Sequence, residues 1–321
     1  MNKVAAVVLD GYTLNPGDLD WKPLQDLCDL TIYDRTEADA VVSRCKNCEL
    51  VFTNKVLMTK EVIDALPNLQ FIGVLATGYN VVDVQYAREK NIVVSNIPSY
   101  SSDSVAELVL AFILEFSFNV GKHSAEVHAG KWSRSPHFCY HSFPLHELRG
   151  KTLGIYGVGH IGFEVMKLAT TFGMQIIYTN RSKKTFPEYP QAKQVTLETL
   201  LKESDFVSLN APLNESSKQV INETSLKGFK STAYLINTAR GPLVDEAAVA
   251  KALKAGQLAG YGCDVLATEP PSAQNPLLGL ENCIITPHIA WQTFEARTRL
   301  MEILVDNVKA FLAGTPINRV N

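Results

Sequence analysis

Short apolar runs alternate with stretches of helical periodicity from one end of the chain to the other. Residues 4–9, 30–33, 50–52, 71–75 and 92–95 form a first series of predicted strands. Residues 152–156, 175–179, 206–210, 233–237, 259–265 and 283–286 form a second. The runs are rich in Val, Ile and Leu and lack clean apolar–polar alternation, which suits parallel strands covered on both faces. Strands separated by helical patterns predict an α/β chain with doubly wound parallel sheets.

The two series divide near Asn96-Ile-Pro98. Beyond it, Ser104-Val-Ala-Glu107 has the spacing of a capping box and predicts the start of a long apolar helix running to about residue 120. Glu107 and Glu115 interrupt that run, and it is too short to span a bilayer, so no membrane partner is expected. A second crossing is expected at Thr286-Pro-His288, followed by an amphipathic helix over 294–312 that packs back on the first domain. The expected domains are therefore 1–98 with 289–321, and 99–288, joined by two linkers around a cleft. Residues 121–149, rich in His, Ser and aromatics and without strong periodicity, predict an arm or extended loop.

The most specific motif opens the second series. Thr152–Tyr156 runs straight into Gly157-Val-Gly-His-Ile-Gly162, and a helical pattern over 163–172 follows. In such a strand-to-helix turn, Gly157 permits the tight turn, Gly159 lets the backbone approach a pyrophosphate, and Gly162 lets helix and strand pack closely. The helix N-terminus then faces the phosphates. The flanking strands and helix raise this motif above a bare glycine spacing and predict a dinucleotide-binding, Rossmann-type domain.

The end of the next strand bears on the choice of cofactor. An acidic residue is expected there in enzymes that bind NAD. The chain instead has Asn180, followed by Arg181, Ser182, Lys183 and Lys184. A neutral amide does not repel a 2′-phosphate, and a guanidinium fork suits one. The cofactor expected is NADP or NAD, with the residues leaning towards NADP; a solvated basic turn is the plainer alternative.

Composition narrows the rest. A net charge of -3 over 321 residues points to no nucleic-acid partner. Six cysteines without a secretory signal pattern read as reduced thiols and a cytoplasmic location. Cys45 and Cys48 have metal-like spacing without a second pair, and no Glu follows His137 in the His137/His141 pair, so no metal is expected.

Three ionisable residues follow strands of the second series: Arg240, Glu269 and His288. Ligands of open parallel sheets bind beyond the carboxyl ends of the strands, where these residues would collect with the glycines. An imidazole titrates in the range needed to protonate an alkoxide left by hydride transfer to a ketone. A neighbouring carboxylate holds one ring tautomer and favours the protonated ring. A guanidinium binds a carboxylate through two parallel bonds and polarises the adjacent carbonyl. The set describes interconversion of a small 2-keto acid and its 2-hydroxy acid.

These stretches resemble the D-isomer-specific 2-hydroxyacid dehydrogenase family over nearly the whole chain. The matching segments are Gly157-Val-Gly-His-Ile-Gly162, Ile236-Asn-Thr-Ala-Arg-Gly-Pro-Leu-Val-Asp245, Asp264-Val-Leu-Ala-Thr-Glu-Pro270 and Thr286-Pro-His-Ile-Ala-Trp291. Within the family, Leu9-Asp-Gly-Tyr-Thr-Leu-Asn-Pro-Gly17, Phe52-Thr-Asn-Lys-Val56 and Gly73-Val-Leu-Ala-Thr-Gly-Tyr-Asn80 are most like glycerate dehydrogenases, also called hydroxypyruvate reductases. The resemblance implies a Rossmann-type cofactor domain inserted in a flavodoxin-like substrate domain, a homodimer, and D stereochemistry. It implies His288 as acid/base, Glu269 as its partner and Arg240 as the substrate-orienting residue. Implied cofactor contacts are Gly157, Gly159, His160, Ile161, Gly162, Asn180, Arg181, Ser182, Ala211, Pro212, Thr238, Ala239, Asp264 (near the nicotinamide amide) and Ser104. Implied substrate contacts are Asn54, Ala76, Thr77, Gly78, Arg240 and Trp291. Hydroxypyruvate/D-glycerate is the expected pair, with glyoxylate/glycolate beside it. The alternatives are another branch of the family, acting on D-lactate or phosphoglycerate, or a non-catalytic NAD(H)-sensing protein of corepressor type.

Overall fold

The computed structural model describes residues 3–321 and divides into two compact units, Met1–Ser101 with Gln292–Asn321, and Ser102–Trp291. The changeovers fall at 101/102 and 291/292 rather than at 98/99 and 288/289. Each unit is built on one parallel sheet.

In the first unit, β1 (Val4–Val8), β2 (Cys28–Ile32), β3 (Leu50–Thr53), β4 (Phe71–Val74) and β5 (Val93–Ser95) lie in the order β2-β1-β3-β4-β5. The order reverses at β1/β3, the flavodoxin-like arrangement. Every residue of β3 and β4 is buried, which is why these strands read as continuous apolar runs. The helix Phe294–Leu312 starts at the predicted residue, capped by Thr293, whose hydroxyl accepts from the Ala296 N–H. It packs on this sheet, with the Phe311 and Phe71 ring centroids 4.8 Å apart.

In the second unit, β6 (Thr152–Tyr156), β7 (Gln175–Thr179), β8 (Lys193–Gln194), β9 (Phe206–Leu209), β10 (Tyr234–Asn237), β11 (Gly260–Cys263) and β12 (Cys283–Ile285) form a sheet ordered β12-β11-β10-β9-β6-β7-β8. The direction of winding reverses between β6 and β9, so a ligand crevice is expected at their carboxyl ends. β8 is two exposed polar residues and has no apolar signature, so the sequence pattern passed over it.

The helix Ser102–Phe118 lies on this sheet through Ala106, Val109, Phe112, Ile113 and Phe116, all buried. Glycines in β11 make room for it: a Cβ on Gly262 would sit 2.9 Å from the Phe112 ring, and one on Gly260 2.9 Å from Phe116. The expected capping box is corrected here. Ser104 lies inside the helix, and its hydroxyl donates to the Ala290 carbonyl instead of capping the Glu107 N–H. A tertiary acceptor displaced the local one. The expected arm over 121–149 is also corrected in part, because Val120–His128 is a helix, set off from its predecessor by Asn119 at φ 48°. Its apolar residues are too sparse to show periodicity, and none of its side chains is buried. No single helix among the described residues is long and apolar enough to cross a membrane.

Candidate active site

At the end of β6 the chain turns at Gly157, whose φ of 91° is left-handed. A Cβ there would lie 2.8 Å from the backbone of Ala211, so both conformation and space demand glycine. Above Gly159 an added Cβ meets nothing within 4 Å, whereas one on Gly162 would be 2.4 Å from the Gly157 carbonyl oxygen. Turn, open approach and close packing are therefore separate properties of the three positions. The helix His160–Thr171 begins without a side-chain cap, and the N–H groups of Gly159, His160 and Ile161 have no acceptor among the described residues. These are donors that a helix N-terminus offers to an anion.

Three buried polar atoms near this edge lack partners: Asn180 Nδ2, Asn210 Oδ1 and Thr238 Oγ1, which follow β7, β9 and β10. Buried donors and acceptors are normally satisfied, so such a cluster points to a ligand that completes it. Together with the free amides, the set fits the phosphates and hydroxyl-rich riboses of a dinucleotide. Sequence reasoning did not single out Asn210, although a polar residue closing an apolar strand before Ala211-Pro212 was there to be noticed.

The turn after β7 is bound to the glycine loop. Asn180 Oδ1 accepts from the Val158 N–H at 2.6 Å, and Lys184 Nζ donates to the Val158 carbonyl at 2.7 Å. Gln194 of β8 donates to the carbonyls of Asn180 and Ser182 and accepts from the Lys184 N–H. Arg181 and Ser182 remain exposed on this braced turn. Pro212 is held through its carbonyl by Ser217 Oγ at 2.8 Å, and Ala239 donates its N–H to Asn237 Oδ1 at 3.1 Å.

β10, β11 and β12 are neighbours in register, Asn237 beside Cys263 and Cys263 beside Ile285. Arg240, Glu269 and His288 occupy the loops that leave them. His288 Nδ1 lies 2.6 Å from Glu269 Oε2. Glu269 Oε1 accepts from the Leu266 N–H at 2.9 Å, so both carboxylate oxygens are engaged. The side chains keep 27% and 33% of their surface, and the imidazole Nε2 has no hydrogen-bond partner among the described residues.

His288 itself sits at φ 56°, uncommon for a residue with a Cβ. Asp264 accounts for it. Its carboxylate accepts from Thr286 Oγ1 at 2.6 Å, the Ile289 N–H at 2.8 Å and the Ala290 N–H at 2.8 Å, gripping the chain on both sides of His288. Asp264 is fully buried, and burial raises its carboxyl above the ordinary range, against the donors from Thr286, Ala290 and Ile289 and the nearby His288. Asp264 was expected near the cofactor; in the structure its oxygens bond the segment on both sides of His288. Ser104, also expected at the cofactor, is buried with its hydroxyl on the Ala290 carbonyl. Trp291 is partly buried at the end of the same segment.

Arg240 is exposed, and its turn is scaffolded by the buried Asn237, whose Nδ2 donates to the Arg240 carbonyl at 2.9 Å. One guanidinium nitrogen, Nη1, donates to the Ala239 carbonyl at 2.7 Å. The next residue, Gly241, lies backbone to backbone on Leu266 and Ala267: a Cβ would fall 2.0 Å from the Leu266 carbonyl carbon and 2.3 Å from the Ala267 nitrogen. The Arg240 turn thus rests on the Leu266–Ala267 peptide, the one next to the Leu266 N–H that Glu269 accepts. Gly241→Ala should force these backbones apart, with a loss of stability of about 3 kcal/mol in a denaturant titration, at the upper end for overpacking. Wild-type stability in that variant would mean the contact is slack.

In the first unit, Asn54 follows β3, is buried, and donates its N–H to Asp10 Oδ1 at 2.8 Å. Asp10 also accepts from the Lys55 N–H at 2.6 Å, and burial raises its carboxyl. Sequence reasoning passed over Asp10, because a single acid at a strand end has no distinguishing pattern. Ala76, Thr77 and Gly78 follow β4; Thr77 Oγ1 donates to the Ile97 carbonyl and Asn96 Nδ2 to the Thr77 carbonyl. The N–H groups of Thr77 and Gly78 have no acceptor among the described residues, as an anion-receiving turn requires. No group of side chains suited to a metal occurs among the described residues.

A doubly wound sheet, a glycine loop with unsatisfied donors and a carboxylate–imidazole pair define a nucleotide-dependent oxidoreductase. The family model described as D-isomer specific 2-hydroxyacid dehydrogenase, NAD binding domain, matches residues 110–290. A hydroxypyruvate reductase of Blautia hydrogenotrophica is 45% identical over 98% of this chain and 99% of its own length. A glycerate dehydrogenase of Methylorubrum extorquens is 41% identical, covering 88% of each. Among solved structures, an NADPH-dependent glyoxylate/hydroxypyruvate reductase from Sinorhizobium meliloti in complex with NADP and malonate superposes with a TM-score of 0.84 at 26% identity, covering 99% of this chain and 97% of that one. The chain belongs to the D-isomer specific 2-hydroxyacid dehydrogenase family. It is an enzyme that uses NAD or NADP, which answers the alternative of a non-catalytic sensor.

Proposed function

We propose that the protein reduces hydroxypyruvate to D-glycerate, accepts glyoxylate as a second substrate, and catalyses the reverse oxidations. The observation that carries this reading is the 2.6 Å His288–Glu269 pair, which with Arg240 follows three adjacent strands at the same carboxyl edge of the sheet as the glycine loop. The nicotinamide, when bound, supplies the hydride that the reduction consumes. Gly159, His160 and Ile161 would receive its pyrophosphate on their N–H groups, with Asn180, Asn210 and Thr238 meeting the ribose hydroxyls.

His288 holds a proton on Nε2 and delivers it to the carbonyl oxygen as that oxygen becomes an alkoxide. Glu269, fixed at both oxygens, keeps Nδ1 as a donor so that Nε2 points at the substrate. Arg240 presents its uncommitted nitrogens to the substrate carboxylate and, through it, stabilises charge on the neighbouring oxygen. Asn54, Ala76, Thr77, Gly78 and Trp291 complete the substrate contacts, with the free amides of Thr77 and Gly78 suited to a carboxylate. The segments Phe52–Val56 and Gly73–Asn80 carry one cation, Lys55, which favours a substrate whose tail is small and uncharged. Turnover compared across hydroxypyruvate, glyoxylate, pyruvate and phosphohydroxypyruvate tests the reading. The highest kcat/KM should fall on hydroxypyruvate, and a preference for the phosphorylated acid would overturn it.

NADP is the preferred cofactor in this reading. Asn180→Asp keeps the acceptor for the Val158 N–H, so the loop should persist, but the new charge repels a 2′-phosphate. The NADPH/NADH ratio of kcat/KM should fall by about tenfold or more, since about 1.4 kcal/mol of repulsion suffices. An unchanged ratio removes the argument.

The family's homodimer is proposed here as well. Val120, Val127, Trp132, Phe138 and Leu145 are exposed on the segment after Phe118, Phe138 at 90%, and a second copy would cover them. The six cysteines are all unpaired, in keeping with a cytoplasmic location.

A further inference from the structure

Glu246 opens the helix Glu246–Lys254 and reaches back to a distant loop. Its Oε1 accepts from the Ala267 N–H at 2.6 Å, and its Oε2 accepts from Asn275 Nδ2 at 2.8 Å. Asn275 in turn accepts from the N–H of Leu277, which is fully buried. The N–H just before Ala267, that of Leu266, goes to Glu269. Two carboxylates therefore grip two successive peptides at the root of the loop that carries Glu269. Residues 267–274 are all exposed, so none of their side chains is sunk in a core to fasten the loop. A segment of that kind holds one geometry only through its hydrogen bonds. Bonds to a charged acceptor are the stronger kind.

We propose that Glu246 is a positioning residue for Glu269, and through Glu269 for the His288 imidazole. The proposal rests on the reading of Glu269 as partner of the acid/base. Glu246 lies on the same short stretch as Arg240 and Gly241, and Gly241 already rests on Leu266 and Ala267. The carboxylate thus fastens the far end of that stretch to the same dipeptide. Guanidinium and carboxylate–imidazole pair are held as one body, although neither touches Glu246.

Four variants test this: Glu246→Ala, Glu246→Gln, Glu269→Gln, and Glu246→Ala combined with Glu269→Gln. Glu246→Ala should lower kcat for hydroxypyruvate about tenfold or more, as a displacement near an ångström does, with the KM for NADPH unchanged. Glu246→Gln keeps an acceptor for the Ala267 N–H and should recover most of that loss. The decisive comparison is the double variant. If Glu246 acts through Glu269, adding Glu246→Ala to the Glu269→Gln enzyme should cost less than about twofold. Losses that multiply overturn the proposal while leaving the role of Glu269 intact, as does a Glu246→Ala enzyme with wild-type kcat. A Glu269→Gln enzyme with wild-type kcat overturns the reading of Glu269 and the proposal with it. Circular dichroism checks the fold of each variant. Where Glu246→Ala does not fold, Asn275→Ala removes one of the same two bonds, and its smaller loss should likewise vanish beside Glu269→Gln; losses that multiply there overturn the proposal too.

Discussion

Replacing His288 with alanine is expected to lower kcat for reduction by about 10²–10⁴-fold, the span that general acid catalysis contributes. At about 1.4 kcal/mol for each factor of ten, the barrier rises by roughly 3–5 kcal/mol. The KM for the nicotinamide cofactor should stay near the wild-type value, because the free N–H groups proposed to receive the pyrophosphate lie on a different loop, at Gly159, His160 and Ile161. One complication is conformational. His288 adopts φ 56°, where alanine is disfavoured, so His288→Ala can also relax the turn that Asp264 holds. Asparagine tolerates that region and offers no comparable acid, so His288→Asn should show the same loss of kcat in a turn left in place. Steady-state kinetics with hydroxypyruvate and NADPH decide the matter. Turnover within a factor of a few of wild type in both variants would remove the imidazole from the reaction.

Arg240→Ala is expected to lower kcat/KM by about 10²–10³-fold, the cost of losing a donor that stabilises developing negative charge. The loss should appear in both KM and kcat, because the guanidinium binds the substrate carboxylate in the ground state and steadies the oxygen in the transition state. Arg240→Lys should recover little. A lysine keeps the charge but not the planar fork, one nitrogen of which, Nη1, bonds the Ala239 carbonyl. Wild-type kcat/KM in the lysine variant would reduce Arg240 to a source of positive potential. Full retention in the alanine variant would exclude it from the site.

Much of the site was legible because its signals are local. Glycine spacing marks a turn where only glycine fits, as Gly157 and Gly162 do against Ala211 and the Gly157 carbonyl. Arg240, Glu269 and His288 stood out as ionisable residues just past apolar strands, where parallel sheets put their ligands. Residues that serve these groups were not legible. Asp10, Asn237, Glu246 and Gln194 are ordinary polar residues, and what they do depends on partners elsewhere in the chain. Asp264 and Ser104 stand out through the family resemblance, but their bonds to the His288 segment have no local signal.

The sequence by itself determined the class of fold, the glycine loop and the three candidate side chains beyond the strands, because hydrophobic period, glycine sterics and side-chain chemistry are properties of short stretches. Only the tertiary structure decided that Glu269 meets His288 at 2.6 Å, that Asp264 holds His288 in a left-handed turn, and that Gly241 lies on the Leu266–Ala267 peptide. Those contacts join residues far apart in the chain, on loops whose exposed sequence carries no period. Their geometry follows from strand order and register, which fix where each loop leaves the sheet.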